Sequence, residues 1–168
     1  MSGYGQIWDI RYDVALSPGD KTSYEAYLVG GGTLVLTGQY STSLNNRDDS
    51  IVDLIEIVGG SGTSALTLTT ANPQQTVQPA FTSPYWVPGI TYVTYPDTPL
   101  DGATTVGNGF FITEDSSYYA SAIYFAPGTL TSATAGTLMV VFDTNFLNPA
   151  NSDYADLENL TGNMLYLY

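Results

Sequence analysis

"GGGTLVLTGQYSTSLNNRDDSIVDLIEIVGG", residues 30–60, is the stretch whose reading decides the fold. Three glycines lead into Thr33 to Leu36, an apolar run that does not alternate, followed by a polar turn at Thr37, Gly38 and Gln39. A strand without alternation is apolar on both faces, as in parallel sheets covered by helices. The second half of the stretch has helical period. Ile51, Leu54, Ile55 and Val58 follow the i, i+3, i+4, i+7 rule, Asn46 can cap, Asp48 and Asp49 suit the positive first turn, and Gly59 with Gly60 ends it. A covered strand feeding an amphipathic helix is the repeating unit of layered α/β domains.

Towards the N-terminus, "QIWDIRY" (6–12) is rich in aromatic and β-branched residues and reads as a strand. A helix follows, with Ser17 as N-cap, Pro18 in the first position, Asp20 completing a capping box, and Tyr24, Tyr27 and Leu28 on one face before Gly30. "ALTLT" (65–69) reads as a third strand, so the first 70 residues spell β-α-β-α-β, which implies parallel strands joined by helical crossovers. Residues 72–101 are punctuated by Pro73, Pro79, Pro84, Pro88, Pro96 and Pro99 and read as an insertion with one edge strand in "TYVTY" (91–95). "GFFIT" (109–113) and "SAIYFA" (121–126) form a hairpin, "GTLMVVFD" (136–143) is a second doubly covered strand, and a last helix runs from Ser152 as cap to Gly162. The expectation is a single α/β domain over residues 1–168: a mostly parallel central sheet, flanking helices and an antiparallel extension in the second half.

Composition narrows the function. With 168 residues and 43% apolar, the chain can bury one sizeable core. Three basic residues against 16 acidic ones give a formal net charge of −13, which repels nucleic acid and anionic membrane surfaces alike. Only 11% of residues are charged, so the surface must be built from hydroxyls, amides and tyrosines, a composition that points outside the cell. The chain has no Cys and no His, which removes disulfides, thiolate and imidazole metal sites, and Ser-His-Asp or Cys-His relays. No run approaches the roughly 20 apolar residues of a spanning helix, so membrane insertion is not expected, and a secretion signal is expected to lie outside this chain.

Three segments carry a resemblance: "YLVGGGTLVLTGQ", the helix "RDDSIVDLIEIVGG", and "AGTLMVVFDTNFL" with "ADLENLTG" after it. Together, over about half the chain, they resemble the class I glutamine amidotransferase-like, flavodoxin-type superfamily. The likeness is to its non-amidotransferase branches: trehalose-utilisation-type domains, the β-galactosidase trimerisation domain and secreted bacterial proteins. Gly30, Gly31 and Gly32 match the glycine-rich lead into a central strand; Asp143, Asn145, Phe146 and Leu147 match the late strand and its exit. Catalytic members carry a Cys on a nucleophile elbow with a His partner, and neither occurs here, so the resemblance implies a chain without amidotransferase activity. It also leaves the family's first β-α unit without a counterpart, because "GYGQIWDI" is similar to the second strand. A normally central strand would then be missing. Each unpaired buried backbone group would cost roughly 1–3 kcal/mol, and several in a row would consume most of a domain's stability of about 5–15 kcal/mol. A changed strand order, an upstream segment or a strand donated by a neighbouring copy would repair the gap.

Open α/β sheets take ligands at the carboxyl ends of their strands. That rule collects Arg11, Thr37, Gly38, Gln39, Asp143 and Asn145 as candidate ligand-binding residues, with Asp143 the one general base among them. A plainer reading has Asp143 and Asn145 capping the turn after their strand. Residues 143–158 are dense in oxygen donors, and Asp143 with Asp153 would suit Ca²⁺, although EF-hand spacing is absent. No other cofactor is expected. Among the aromatics, Tyr85, Trp86, Tyr118 and Tyr119 fall on loops and are candidates for an interface or a sugar-stacking platform, whereas Tyr92 and Tyr124 fall in strands and are expected in the core. The expected function is a non-catalytic extracellular or cell-surface structural module that self-associates into a filament or other homomeric assembly. The alternative is a carbohydrate- or calcium-binding module of a secreted protein.

Overall fold

The computed structural model describes residues 5–39, 47–82, 89–97, 99–151 and 153–166. The expected caps Asn46 and Ser152 and the candidate interface residues Tyr85 and Trp86 lie outside the described residues. The elements are β1 (Gln6–Asp9), α1 (Pro18–Val29), β2 (Thr33–Thr37), α2 (Arg47–Ile57), β3 (Leu68–Ala71), β4 (Gln74–Val77), α3 (Pro79–Thr82), β5 (Tyr92–Thr94), β6 (Leu100–Ala103), β7 (Phe110–Glu114), β8 (Ala122–Phe125), β9 (Thr137–Val141), a 3₁₀ turn at Thr144–Leu147 and α4 (Tyr154–Leu165).

Seven strands form one sheet in the order β1-β2-β9-β8-β7-β4-β5, and β3 pairs with β6 in a second, two-stranded sheet. The α/β class and the antiparallel extension stand as expected. The parallel part is smaller than the sequence pattern suggests, since β1–β2 and β2–β9 are parallel and the other four pairings are antiparallel. The third strand of the expected β-α-β-α-β run is not part of the parallel sheet: it forms at Leu68–Ala71 and pairs antiparallel with Leu100–Ala103. Nor is there a gap where a central strand was expected to be missing. Gln6 pairs with Thr33 and Thr33 with Thr137, so β1, β2 and β9 close directly on one another.

Burial explains the central pair. All five residues of β2 and all five of β9 are buried. Leu34, Leu36, Leu138 and Val140 face α1 and α2, where they meet Tyr24, Leu28, Ile51, Leu54 and Ile55. Val35, Met139 and Val141 face the other way, against Phe146 and the Leu157, Leu160 and Met164 stripe of α4. Each such side chain contributes roughly 1.5–3 kcal/mol on leaving water, and a covered strand needs apolar residues at every position for that reason. α1 begins as expected: the Ser17 hydroxyl accepts from the Asp20 N–H at 3.1 Å while the Asp20 carboxylate accepts from the Ser17 N–H at 2.9 Å. Gly32 is required by packing, because a Cβ there would lie 2.3 Å from the Tyr27 ring.

The proline-rich stretch holds more regular structure than one edge strand. It contributes β4, α3, β5 and part of β6, with β5 at the sheet edge as its prolines require. Tyr92 is exposed on that edge strand, contrary to expectation, because only Val93 of the three faces inward. α4 runs three residues past Gly162, whose Cβ position is open space.

Candidate functional site

Three parallel strands, β1, β2 and β9, end on the same side of the sheet, and polar residues gather there. Asp9 closes β1 and anchors the first group. Its carboxylate accepts from Arg11 Nε at 2.7 Å and from Arg11 Nη2, from the Tyr24 hydroxyl at 2.8 Å, and from Arg47 Nη1 at 3.4 Å. Arg47 is fully buried at the start of α2, and it also donates from Nε to the Thr37 carbonyl at 2.9 Å, from Nη1 to Val14 O at 3.3 Å and from Nη2 to Asp9 O at 3.2 Å. Burial by itself would raise the Asp9 carboxyl; the hydrogen bonds from Arg11 and Tyr24 and the charges of both arginines outweigh it and hold Asp9 below the ordinary carboxylate value. The same surroundings push the Tyr24 phenol up to about 12, through burial first and the Asp9 carboxylate second.

A second group sits at the ends of β2 and β9. Asp97, from the β5–β6 connection, accepts from Gln39 Nε2 and, at 2.8 Å, from Asn145 Nδ2. Asp143 is fully buried; it accepts from the Asn145 N–H at 2.7 Å, capping the 3₁₀ turn, and from the Asp97 N–H at 3.4 Å. Asp48 accepts from the Gln39 N–H at 2.7 Å. Gly38 is glycine because that carboxylate occupies its side-chain position: a Cβ would stand 2.0 Å from Asp48 Oδ1. Thr144 ties the two groups together by donating to Gly38 O at 2.6 Å and Arg11 O at 3.4 Å.

The structure thus brings Gln39, Asp143 and Asn145 around Asp97, sets Gly38 beside them as the floor under Asp48, and assigns Arg11 to the neighbouring Asp9 group. The plainer reading of Asp143 and Asn145 as a cap describes their geometry. The strand ends are packed, with Gln39 and Asp143 buried among their own partners. Acids of a glycosidase stand about 5–9.5 Å apart with room for a sugar or water between them, whereas Asp143 Oδ2 is taken up by the Asp97 N–H at 3.4 Å and Asp143 Oδ1 by the Asn145 N–H at 2.7 Å. Asp153 stands at the N-cap of α4 without a side-chain cap bond, and among the described residues no group of three or more acidic side chains is placed to hold a metal ion.

Sequence reasoning missed Asp9, Arg47, Asp48, Asp97 and Asp101. One signal was available: Arg47, one of three cations in the chain, occupies a helix's first turn, where a positive charge opposes the macrodipole. Such a placement requires carboxylates and carbonyls around it. Asp97 and Asp101 gave no local signal, since only the long-range course of the chain brings them to the strand ends.

An apolar groove of about 510 Å³ lies elsewhere, over the antiparallel half, lined by Gln78, Phe81, Val106, Phe110, Phe111 and Tyr124 among others. It exists because the β4–β7 ladder stops at Val77 opposite Thr113, leaving Phe110 and Phe111 to project past it. Phe110 is 54% exposed and opposes Tyr124, which meets Phe81 edge-to-face at 5.7 Å. Tyr124 is therefore half-buried on this groove rather than a core residue. Of the loop tyrosines, Tyr118 is exposed at positive φ on a turn held by Asp115, while Tyr119 packs against the second core.

No protein-family model matches the chain. No curated protein matches it in sequence. Solved structures match in shape. The mmIFT52 N-terminal domain is similar over 98% of this chain and 76% of its own length, with a TM-score of 0.63 and 12% identity. The exo-β-1,4-mannosidase Op5Man5 from Opitutaceae bacterium strain TAV5 is similar over 98% of this chain and 25% of its own, with a TM-score of 0.54 and 12% identity. A β-galactosidase from Rahnella sp. R3 is similar over 99% and 23%, with a TM-score of 0.50 and 13% identity. At these identities the likeness is one of fold. The chain spans about a quarter of each glycosidase.

Proposed function

We propose that this chain is a non-catalytic structural module, extracellular or at a cell surface, that associates with copies of itself through the Phe110 groove, and that it descends from the amidotransferase-like fold with its chemistry lost. The groove is the observation that carries this reading: an uncharged aromatic surface on a protein of net charge −13. All three cations are engaged within the chain, Arg11 and Arg47 with Asp9 and Lys21 with Asp53 at 2.7 Å. Two copies therefore have few unengaged positive side chains to offer each other, and apolar burial is the main attraction left.

This fixes the sign of a simple experiment. Association driven by apolar contact against like-charge repulsion strengthens with salt, as the Debye length falls from about 8 Å at physiological ionic strength to about 3 Å at 1 M. Light scattering across a salt series is expected to show mass rising with ionic strength, and Phe110→Ser to abolish the rise. A monomer at every concentration and salt level refutes the proposal.

A second reading, a glycan-binding module, draws support from the exposed aromatic ring beside Gln78 and from the two glycosidases that share the fold. Sugar hydroxyls need several directed polar partners, and Gln78 with the Tyr124 hydroxyl supplies few. A glycan array probed with and without calcium separates the two readings.

A further inference from the structure

A second apolar surface lies on the connection that follows β1. Ile10, Tyr12 and Val14 alternate along it and are 48%, 58% and 52% exposed, and among the described residues no other run of five holds three large apolar side chains so open to water. Single exposed apolar residues are ordinary, whereas a cluster of them marks a contact surface. The segment is pinned in place. Arg11, between the first two, turns back to Asp9 at 2.7 Å and to Asp20 at 3.2 Å. The Arg11 carbonyl accepts from Thr144 Oγ1 at 3.4 Å, the Val14 carbonyl accepts from Arg47 Nη1 at 3.3 Å, and the Leu16 N–H donates to Ser50 Oγ at 2.8 Å. A projection already held in shape loses little freedom on binding.

Strand register sets this stripe and the Phe110 groove far apart. β1, β2 and β9 run in one direction and finish at Asp9, Thr37 and Val141, so Ile10 leaves the sheet at its carboxyl end. β8 runs back from Ala122, opposite Val141, to Phe125, opposite Leu138. Phe110 pairs with Tyr124, which puts the groove towards the end where the parallel strands begin. β1 is also four strand spacings from β7, about 19 Å. A copy cannot bring its own stripe to its own groove, and a contact between the two surfaces of different copies leaves one of each free.

We propose that the Ile10, Tyr12 and Val14 stripe of one copy docks in the Phe110 groove of the next, so that the chain assembles head to tail. This rests on the groove being the surface of self-association, and it names what fills the groove. The chemistry of the two surfaces matches. Phe81, Val106, Phe110, Phe111 and Tyr124 offer aromatic and aliphatic walls to the Tyr12 ring and its two neighbours, in a volume of about 510 Å³. Gln78 Nε2 donates to Glu114 Oε1 at 2.6 Å, which leaves the Gln78 carbonyl oxygen to accept from the Tyr12 hydroxyl. An aromatic ring with one polar tip suits such a contact. Asp13, exposed beside Tyr12, keeps its carboxylate in water at the rim. Two unlike surfaces make a heterologous contact, which closes as a ring or runs on as a filament and does not stop at two copies by symmetry.

The test is complementation, read by sedimentation of the full chain at about 1 M salt, where repulsion between copies is screened. Wild type is expected to pass twice the chain mass as concentration rises. Phe110→Ser keeps the stripe and Tyr12→Ser keeps the groove, and each alone should stay at the mass of one chain. Mixed in equal amounts, the two should reach twice the chain mass and go no further, because the pair carries only the two altered surfaces at its ends. Ile10→Ser combined with Val14→Ser replaces Tyr12→Ser if that variant does not fold. Wild type that stops at two copies overturns the head-to-tail contact. So does Tyr12→Ser assembling as wild type does, or an equal mixture that stays at one chain mass. In these cases loss of association in Phe110→Ser would still leave the groove as a self-contact, met by some other surface, whereas wild type that is monomeric throughout removes both the groove and the stripe.

Discussion

Replacing Asp9 by Asn keeps the shape of the β1 terminus and removes the negative charge that faces two guanidinium groups and the Tyr24 hydroxyl. Arg47 is fully buried and cannot turn to water. Neutral carbonyls of Thr37, Val14 and Asp9 also accept from it. Breaking a buried pair by removing one partner costs about 3–5 kcal/mol, because the remaining charge stays uncompensated. Against a total stability of about 5–15 kcal/mol that is a large fraction, and for a domain of this size it corresponds to a fall in Tm on the order of 10 °C. Urea unfolding of wild type, Asp9→Asn, Arg47→Met and the double variant closes a cycle in which the double is expected to be more stable than the sum of the singles implies. The pH dependence supplies a second reading. Asp9 is held below its ordinary value of 3.8, so its contribution is present above about pH 4 and is lost as pH falls through the lowered value. Asp9→Asn should flatten that acid limb. A loss below about 1 kcal/mol, typical of an exposed pair, would refute the reasoning that the Asp9–Arg47 contact is a buried charge pair.

The opposite sign is expected for Asp48. Its carboxyl is raised from 3.8 to about 8, so the stability it contributes is complete below about pH 4 and lost progressively as pH rises to about 8. Urea midpoints of Asp48→Asn should be higher than wild type at alkaline pH, with a smaller fall between about pH 4 and about pH 8, the remainder coming from the raised Asp143. Gly38→Ala forces a methyl into Asp48 Oδ1 and within 3.2 Å of Phe142 Cα; a loss of about 1–3 kcal/mol is expected by chemical denaturation. Gly162→Ala, in open space inside α4, should stabilise by about 0.5–1 kcal/mol in the same assay. Phe110→Ser, at a half-exposed position, should leave the unfolding midpoint within about 0.5 kcal/mol while removing the salt-dependent rise in mass.

Elements written in local chemistry are legible in the sequence. The Ser17–Asp20 box, the Ile51, Leu54 and Ile55 stripe and the unbroken apolar runs of β2 and β9 each state a partner within a few residues or a requirement for cover on both faces. What failed was pairing at a distance. "LDGA" at β6 has no strand signature, yet it fixes Leu68–Ala71 as its antiparallel partner and so withdraws that strand from the parallel sheet. Gln74–Val77 lies between two prolines and alternates exposed and buried over four residues, too short for periodicity to be read. The candidate site was legible to the extent that strand ends could be located: Gln39, Asp143 and Asn145 do meet. Their shared partner Asp97 arrives from the far edge of the sheet, where β5 turns back towards β6.

The distribution of charge links the two regions of interest. Arg11, Lys21 and Arg47 are each engaged by an aspartate, so the exposed part of the acid excess stands uncompensated at the surface, where salt screens it. Asp48 and Asp143 are buried at the strand ends, where burial raises both carboxyls and proton concentration acts more strongly than salt. The Phe110 groove carries no ionisable carboxylate or cation among the residues that line it, so it answers to ionic strength through the repulsion between whole molecules and has no direct response to pH in the neutral range. Salt and pH therefore address different parts of one small domain. If association at the groove changed across the pH range over which Asp48 loses its proton, and Asp48→Asn removed that change, the strand ends would have to be coupled to the β4–β7 ladder that borders the groove. Separate responses would instead mean that the strand ends and the groove act independently.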